Sequence, residues 1–413
     1  MITNLITLSK IHAPSLKEGV LFLYLCLSSL FAQKDIYQFN LYLNDSVLLH
    51  LPVILKKDSI IIPAYSSVNK NSSFLKKEND SIRFTVSIYE NICLLKKQNQ
   101  TNYQGLWIKY SSDNNSYRIK CSISPSFKYN VDTNKMQSFP HKWKLSILSK
   151  NKTYTAYSTF QFFNDNILPH LSGSVATPYG DLGHLSGFIK NDSVFLSVFN
   201  GTFATYLVGK LFYSTKQKLD SIQGYIYYGS WGVEKFSAIP VSDISMKNHI
   251  HLNDIFTPTS FILNANWKDI YNQPITIETN KPLILLVMGT WCPNCTDENK
   301  LFTEWYSQLS SKVQIIALAV ERTNNPNKAI QLLQNYKTKL NIPYPIVLLS
   351  EKGNQPPFEI FPQLIKIPAF PTTIYFNKEL KPVFATMGFN GPATNELYIQ
   401  TQQHIKEIIQ QLQ

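Results

Sequence analysis

Two periodicities divide the chain. Across the first half, apolar and polar positions alternate with period two, as in Ile82-Arg83-Phe84-Thr85-Val86-Ser87-Ile88, in Tyr117-Arg118-Ile119-Lys120-Cys121-Ser122-Ile123 and in Trp143-Lys144-Leu145-Ser146-Ile147-Leu148. Successive side chains of a strand point to opposite faces, so this alternation predicts strands with one buried and one wetted side. Further strands are predicted at Val194 to Phe199, Thr205 to Phe212 and Gly224 to Tyr228. They are separated by turn clusters such as Ser111-Ser112-Asp113-Asn114-Asn115 and Pro178-Tyr179-Gly180-Asp181. Many short strands, with no long amphipathic helix between them, predict an antiparallel all-β domain, sandwich or barrel-like, over residues 33–242.

The pattern changes after Phe261. A wholly apolar run, Leu283 to Met288, is followed by a helix with Leu301, Phe302, Trp305, Tyr306 and Leu309 on one face. A strand at Val313 to Val320, a helix over Ala329 to Leu340 and a strand at Tyr344 to Leu349 come next. Thr372 to Phe376 then pairs with Pro382 to Thr386 across Asn377-Lys378. A last helix begins near Thr394 and carries Leu397, Tyr398, Ile405, Ile408 and Leu412. Alternating strand and helix, a hairpin and a closing helix predict an α/β domain over residues 261–413, with 243–260 as the linker. At 413 residues the chain is long enough for two such cores.

Composition changes little of this. The net charge of +12 comes from lysines scattered among Asn, Ile and Tyr, with no arginine stripe, so a solvated surface and no nucleic-acid partner are expected. Val20 to Phe31 is a short apolar run preceded by Lys10 and Lys17 and followed by Ala32-Gln33. It fits a secretory signal peptide, residues 1–32, better than a membrane span; an uncleaved N-terminal anchor is the alternative. The expected location is therefore the periplasm or cell envelope. Cys26 lacks the small residues expected before a lipidated cysteine. Outside the cytoplasm disulfides persist. Cys93 and Cys121 could bridge there, or remain two inert buried thiols.

The chemistry concentrates at Cys292-Pro293-Asn294-Cys295, between the apolar strand and its helix. At a helix start, positive potential favours the thiolate of Cys292, and one turn brings Cys295 within reach of a mixed disulfide formed there. A zinc site or an inert buried pair is the competing reading, but it needs more ligands than the sequence offers nearby; His404 stands alone.

Trp291-Cys292-Pro293-Asn294-Cys295, with Phe370-Pro371-Thr372-Thr373 before the hairpin, resembles a thioredoxin-fold redoxin of the TlpA/ResA group. The resemblance covers roughly the last 150 residues, near one domain's length. The exported β-rich half ahead of it resembles the bacterial two-domain TlpA-like members. It implies a thiol-disulfide oxidoreductase with a redox-active disulfide, Cys292-Cys295, and no cofactor or metal. It implies a cis Pro371 facing the cysteines, although an ordinary trans proline at a strand start is the alternative. Phe370 would offer backbone groups to an extended partner peptide. Glu298 sits where the group has a glutamate that exchanges protons with the second cysteine; a plain first-turn helix acid is the other reading. Trp291 and Gly388 are expected to line the site, Gly388 by allowing close backbone approach.

One departure stands out. Classical thioredoxins carry a buried aspartate on the strand before the motif, and Leu283 to Met288 has no acid. Proton handling then falls to Glu298, or to Glu321 at the end of its strand. Among weaker candidates, His249 and His251 lack a third metal ligand, while Asp181 and His184 are expected to be turn residues. The expected partners are a disulfide-containing protein substrate and, by analogy, a membrane thiol-disulfide reductant of the DsbD/CcdA kind. A non-catalytic thioredoxin-fold peptide-binding protein is the second reading.

Overall fold

The computed structural model describes residues 36–62, 71–78, 80–85, 89, 91–112, 115–125, 131–164, 169–215, 218–230, 232–246, 250–256, 266–350, 361 and 363–412. The apolar N-terminal run with Cys26, and also His249, lie outside these residues.

The period-two half folds into two closed rings of strands. The first contains β1 (Ile36–Tyr42), β2 (Leu48–Leu55), β3 (Ser59–Ile62), β4 (Asn71–Glu78), β5 (Ser81–Thr85), β6 (Ile92–Lys97), β7 (Tyr103–Ser112) and β8 (Asn115–Ser124). Each strand pairs antiparallel with the next, and β8 returns to β1 with Cys121 opposite Leu41. Alternate residues point inward, so Leu49, Leu51 and Val53 of β2 share the core with Ile119, Cys121 and Ile123 of β8. Closure leaves no unpaired strand edge.

A short helix, α1 (Thr133–Gln137), leads into the second ring; the Asp132 side chain caps it by accepting the Lys135 N–H. This ring contains β9 (Lys142–Ser149), β10 (Lys152–Phe163), β11 (His170–Thr177), β12 (Gly180–Asp181), β13 (Leu185–Lys190), β14 (Ser193–Phe199), β15 (Ala204–Tyr213), β16 (Leu219–Tyr228) and β17 (Gly232–Pro240). β10 pairs with both β9 and β11, and β17 pairs with β9, which closes eight strands into a barrel. β12 is a two-residue strand against β11 alone. The alternation predicts strands but does not separate the two barrels. The corner between β14 and β15 joins them, because Phe199 and Ala204 bury inside the first barrel.

The second half forms a five-stranded sheet. In chain order it contains β18 (Leu283–Met288), α2 (Pro293–Leu309), β19 (Gln314–Val320), α3 (Pro326–Leu340), β20 (Ile346–Ser350), β21 (Thr372–Phe376), β22 (Pro382–Met387) and α4 (Glu396–Leu412). The strand order is β20-β19-β18-β21-β22, with β18, β19 and β20 parallel and the β21–β22 hairpin antiparallel. Every residue of β18 is buried, which explains an apolar run without alternation in a strand covered on both faces. Helices α2, α3 and α4 cover one face through Leu301, Phe302, Leu333, Ile405 and Ile408. Irregular segments cover the other through Ile255, Phe256, Trp267 and Leu364. The stretch read as a linker is therefore packed where it is described: Ile244 buries against Ala176 and Leu397, and Ile255 is fully buried in the sheet's second core. Among the described residues no helix is long and apolar enough to cross a membrane.

Candidate redox site

Strand β18 ends just before the cysteine motif, and α2 starts inside it. Cys292 is the N-cap residue, with extended φ/ψ, and its Sγ accepts the Cys295 backbone N–H at 3.2 Å. Pro293 follows at the first helical position, where its missing N–H leaves no partner unsatisfied. The Cys-Pro-x-Cys spacing thus makes a sulfur perform the capping that Ser or Asp usually performs. The Cys292 thiol also reaches the Phe370 carbonyl at 3.5 Å. Cys292 is 5% exposed and Cys295 fully buried. Burial, then the neighbouring Cys292 and Glu298, push the Cys295 thiol well above its ordinary range.

The Phe370 carbonyl belongs to the peptide that leads into Pro371. The Phe370–Pro371 bond is cis, and the Pro371 carbonyl accepts the Gly388 N–H at 2.8 Å. The Phe370 ring packs edge-on against Trp291 with centroids 4.9 Å apart. Trp291 is fixed from two further directions: its Nε1–H donates to the Val320 carbonyl, and the Arg322 guanidinium lies 3.7 Å from the ring centroid. Glu321 holds the loop that leads into the cysteine motif. Its two oxygens accept the Thr290 N–H at 2.9 Å and the Thr290 hydroxyl at 2.8 Å, so it fixes the residue before Trp291.

Glu298 lies one helical turn beyond Cys295 and is buried. One oxygen accepts the Thr373 hydroxyl at 2.7 Å, and the other has no hydrogen-bond partner among the described residues. Burial raises its carboxyl to about 8, with the Thr373 hydrogen bond opposing. A solvated first-turn acid would not sit in such surroundings; Glu298 is neutral near pH 7 and close to the pH at which it can take a proton or give one up.

The barrels reach this site from both flanks. From the second barrel, the Asn294 side chain donates to the Asp181 carbonyl at 3.3 Å, and Asp181 N–H donates to the Phe389 carbonyl at 3.3 Å. The Gly391 N–H donates to the Asp181 carboxylate at 2.6 Å. On the other flank, the Thr202 hydroxyl donates to the Trp291 carbonyl, and the Tyr89 hydroxyl meets that of Thr296, both at 3.4 Å. Between this flank and α3 lies a cavity of about 100 Å³ bordered by Tyr89, Trp291, Arg322 and Lys328.

Asp181 therefore does more than shape its turn. It keeps that role, accepting the Gly183 N–H at 2.6 Å, but also ties the second barrel to the C-terminal sheet. His184 pairs with the Ser172 hydroxyl of β11, and burial lowers it to about 4. His404 packs edge-on against Phe384. His251 lies at the N-cap of a short 3₁₀ turn, Leu252–Asp254, and its expected companion His249 is outside the described residues. Cys93 and Cys121 lie inside the first barrel, where burial and then Cys121 raise the Cys93 thiol. Sequence reasoning missed Thr373, Arg322 and Asn294 as contacts of the site. Thr373 stands two residues beyond Pro371 in a strand facing α2, so its register was available; the docking of the barrels leaves no local signal.

No protein-family model and no curated protein matches the chain. Solved structures similar to it include thiol-disulfide proteins matched over about a third of its length. A secreted Mycobacterium tuberculosis disulfide oxidoreductase homologous to E. coli DsbE is 15% identical, covering 34% of this chain and 96% of that one, with a TM-score of 0.27. StoA from Bacillus subtilis is 22% identical, covering 34% and 92%, also at 0.27. A thiol:disulfide interchange protein of the thioredoxin family from Chlorobium tepidum is 18% identical, covering 32% and 90%, at 0.24. The chemistry proposed for the chain rests on its own geometry rather than on these likenesses.

Proposed function

We propose that the protein is an exported thiol-disulfide oxidoreductase that reduces protein disulfides through Cys292 and Cys295. The observation that carries this reading is the Cys292 sulfur seated at the N-cap of α2, with Cys295 directly behind it and cis-Pro371 beside it. The Cys292 thiolate attacks one sulfur of a partner disulfide, and the partner's other sulfur leaves as a thiolate. Cys295 loses its proton to the fraction of Glu298 that is ionised, which grows as pH approaches 8, and attacks the Cys292 sulfur. The Cys292–Cys295 bond forms, the second partner sulfur is released, and two electrons have passed to the partner. Phe370 and Gly388 flank the edge on which an extended partner backbone would lie. A membrane reductant of the DsbD/CcdA kind would return the pair to dithiols. The apolar N-terminal run supports export to the periplasm or cell envelope, cleaved or anchored, and the TlpA/ResA resemblance supports the reducing direction. The β-rich half serves docking and shielding rather than a second reaction.

Cys295→Ser tests the reading, because it leaves the attacking sulfur and removes the resolving one. Partner proteins should then accumulate as mixed disulfides on Cys292, releasable by dithiothreitol. A wild type that reduces no insulin disulfide, together with a variant that traps nothing, would leave only a non-catalytic peptide-binding protein. The reduction potential of the pair settles direction: about −270 mV marks a reductant and about −120 mV an oxidant.

A further inference from the structure

The edge beside the cysteine pair already has an occupant within this chain. β11 and β12 form a tight hairpin with Thr177 opposite Gly180 and Ala176 opposite Asp181, turning at Pro178-Tyr179. Its backbone lies directly on Gly388: a Cβ added there would stand 2.4 Å from the Tyr179 carbonyl carbon and from Gly180 N. Gly388 itself has φ +66°, and Gly180 has φ +113°. Two glycines with left-handed backbones thus meet face to face, at a separation that only glycine permits. The hairpin then continues along the site. Asp181 N–H pairs with the Phe389 carbonyl, the Asp181 carbonyl takes the Asn294 side-chain N–H, and its carboxylate takes the Gly391 N–H.

These contacts fall on the cysteine motif and on the segment hydrogen-bonded to Pro371, and one of them is a backbone pair of the kind an added strand makes. We propose that the Thr177–Gly183 hairpin is a specificity element that occupies the partner edge, so that an extended protein disulfide reaches Cys292 only when the hairpin lifts. This rests on the oxidoreductase reading of Cys292 and Cys295. The hairpin is built to lift. Its described hydrogen bonds to the C-terminal half are polar ties through Asp181, and Tyr179 at its tip is 54% exposed. Its shape is held from within, where the Thr177 hydroxyl donates to the Gly180 carbonyl at 2.7 Å and accepts the Tyr179 N–H at 3.1 Å. A small disulfide needs no extended edge and so discriminates between a lifted and a seated hairpin.

The test compares two oxidants in the full chain, insulin as an extended protein disulfide and oxidised glutathione as a small one. In each reaction the dithiol of Cys292 and Cys295 supplies two electrons and becomes a disulfide, while the oxidant is released as two thiols. Asp181→Ala cuts the tie to Gly391, and Thr177→Val loosens the hairpin without touching the C-terminal sheet. Both should raise the insulin rate at least five-fold while moving the glutathione rate less than two-fold. Unchanged rates, or two rates that move in proportion, would overturn the proposal. If the wild type oxidises with neither probe, the oxidoreductase reading fails instead. Deuterium exchange on Cys295→Ser carrying trapped insulin gives a readout independent of those variants: amides of 179–183 should lose protection relative to the free protein. Retained protection there overturns the proposal even if Asp181→Ala does not fold.

Discussion

At the scale of single residues, the site holds a carboxyl that burial keeps mostly protonated near neutral pH. Burial holds Glu298 at about 8, against an ordinary 4.5. An acid whose folded value is raised stabilises the fold fully below 4.5, where it is protonated folded and unfolded alike. That stability is lost as pH rises toward 8, because the unfolded chain ionises first; above 8 the loss is complete. Glu298→Gln keeps the shape and an acceptor for Thr373 but cannot ionise. The variant should match the wild type near pH 4 and exceed it above pH 8 by on the order of 3–5 kcal/mol, at 1.36 kcal/mol for each unit of pKa difference. Urea denaturation across pH 4–9 measures this, and a constant gap between the two proteins would refute the assignment. The same substitution should slow resolution of mixed disulfides at Cys295 and flatten its rise with pH through 8, because no carboxylate remains to take the thiol's proton. Thr373 is the only hydrogen-bond partner described for that carboxylate, so its register in β21 matters as much as the acid.

At the scale of elements, the strands and helices were legible where one face meets water, and for physical reasons. Ile119, Cys121 and Ile123 alternate with Arg118, Lys120 and Ser122, and they fill the first barrel as that alternation implies. The α2 face was equally plain in Leu301 and Phe302. What the sequence does not display is closure. Two barrels and one sandwich share the same period-two text, and the pairing of β8 with β1 or of β17 with β9 depends on contacts far apart in the chain. The cysteine pair at the start of α2 and cis-Pro371 were legible because both are local motifs. The packing of Phe199 was not, since nothing near it marks a residue that leaves its own barrel for the next. Its ring sits 5.4 Å from Phe39 and 5.0 Å, edge-on, from Trp107. Phe199→Ala should therefore destabilise the first barrel by about 3–5 kcal/mol, the usual cost of emptying an aromatic site, with the loss seen in the Trp107 environment before the C-terminal sheet melts. Cys93 and Cys121 give the companion measurement. Both thiols are buried in that core, so maleimide should label them only after unfolding, and faster in Phe199→Ala than in the wild type.

At the scale of the whole molecule, one of the ties between the barrels and the half that carries the cysteines is a carboxyl that can titrate. Asp181 is raised to about 7, first by burial and then by the charge of Asp297, while the N–H groups of Gly391 and Gly183 and the Ser174 hydroxyl pull the other way. Asp297, on α2, is half-buried and raised by desolvation, relieved by Lys300 at 3.7 Å. Lifting the hairpin returns Asp181 to water and to its ordinary range near 4. The seated form therefore holds a proton that the lifted form has released. Seating is firmest below about pH 4, weakens as pH climbs toward 7, and levels off above it. Between those limits the change is on the order of 2–4 kcal/mol at 1.36 kcal/mol for each unit of pKa difference. Deuterium uptake at 388–391, corrected for the intrinsic pH dependence of exchange, should rise between pH 5 and pH 7.5 in the wild type. In Asp181→Asn, which cannot ionise, it should stay flat. A wild-type profile as flat as the variant's would mean that Asp181 keeps one protonation state whether seated or free. The hairpin would then stay seated to the same degree at every pH and respond to the partner alone.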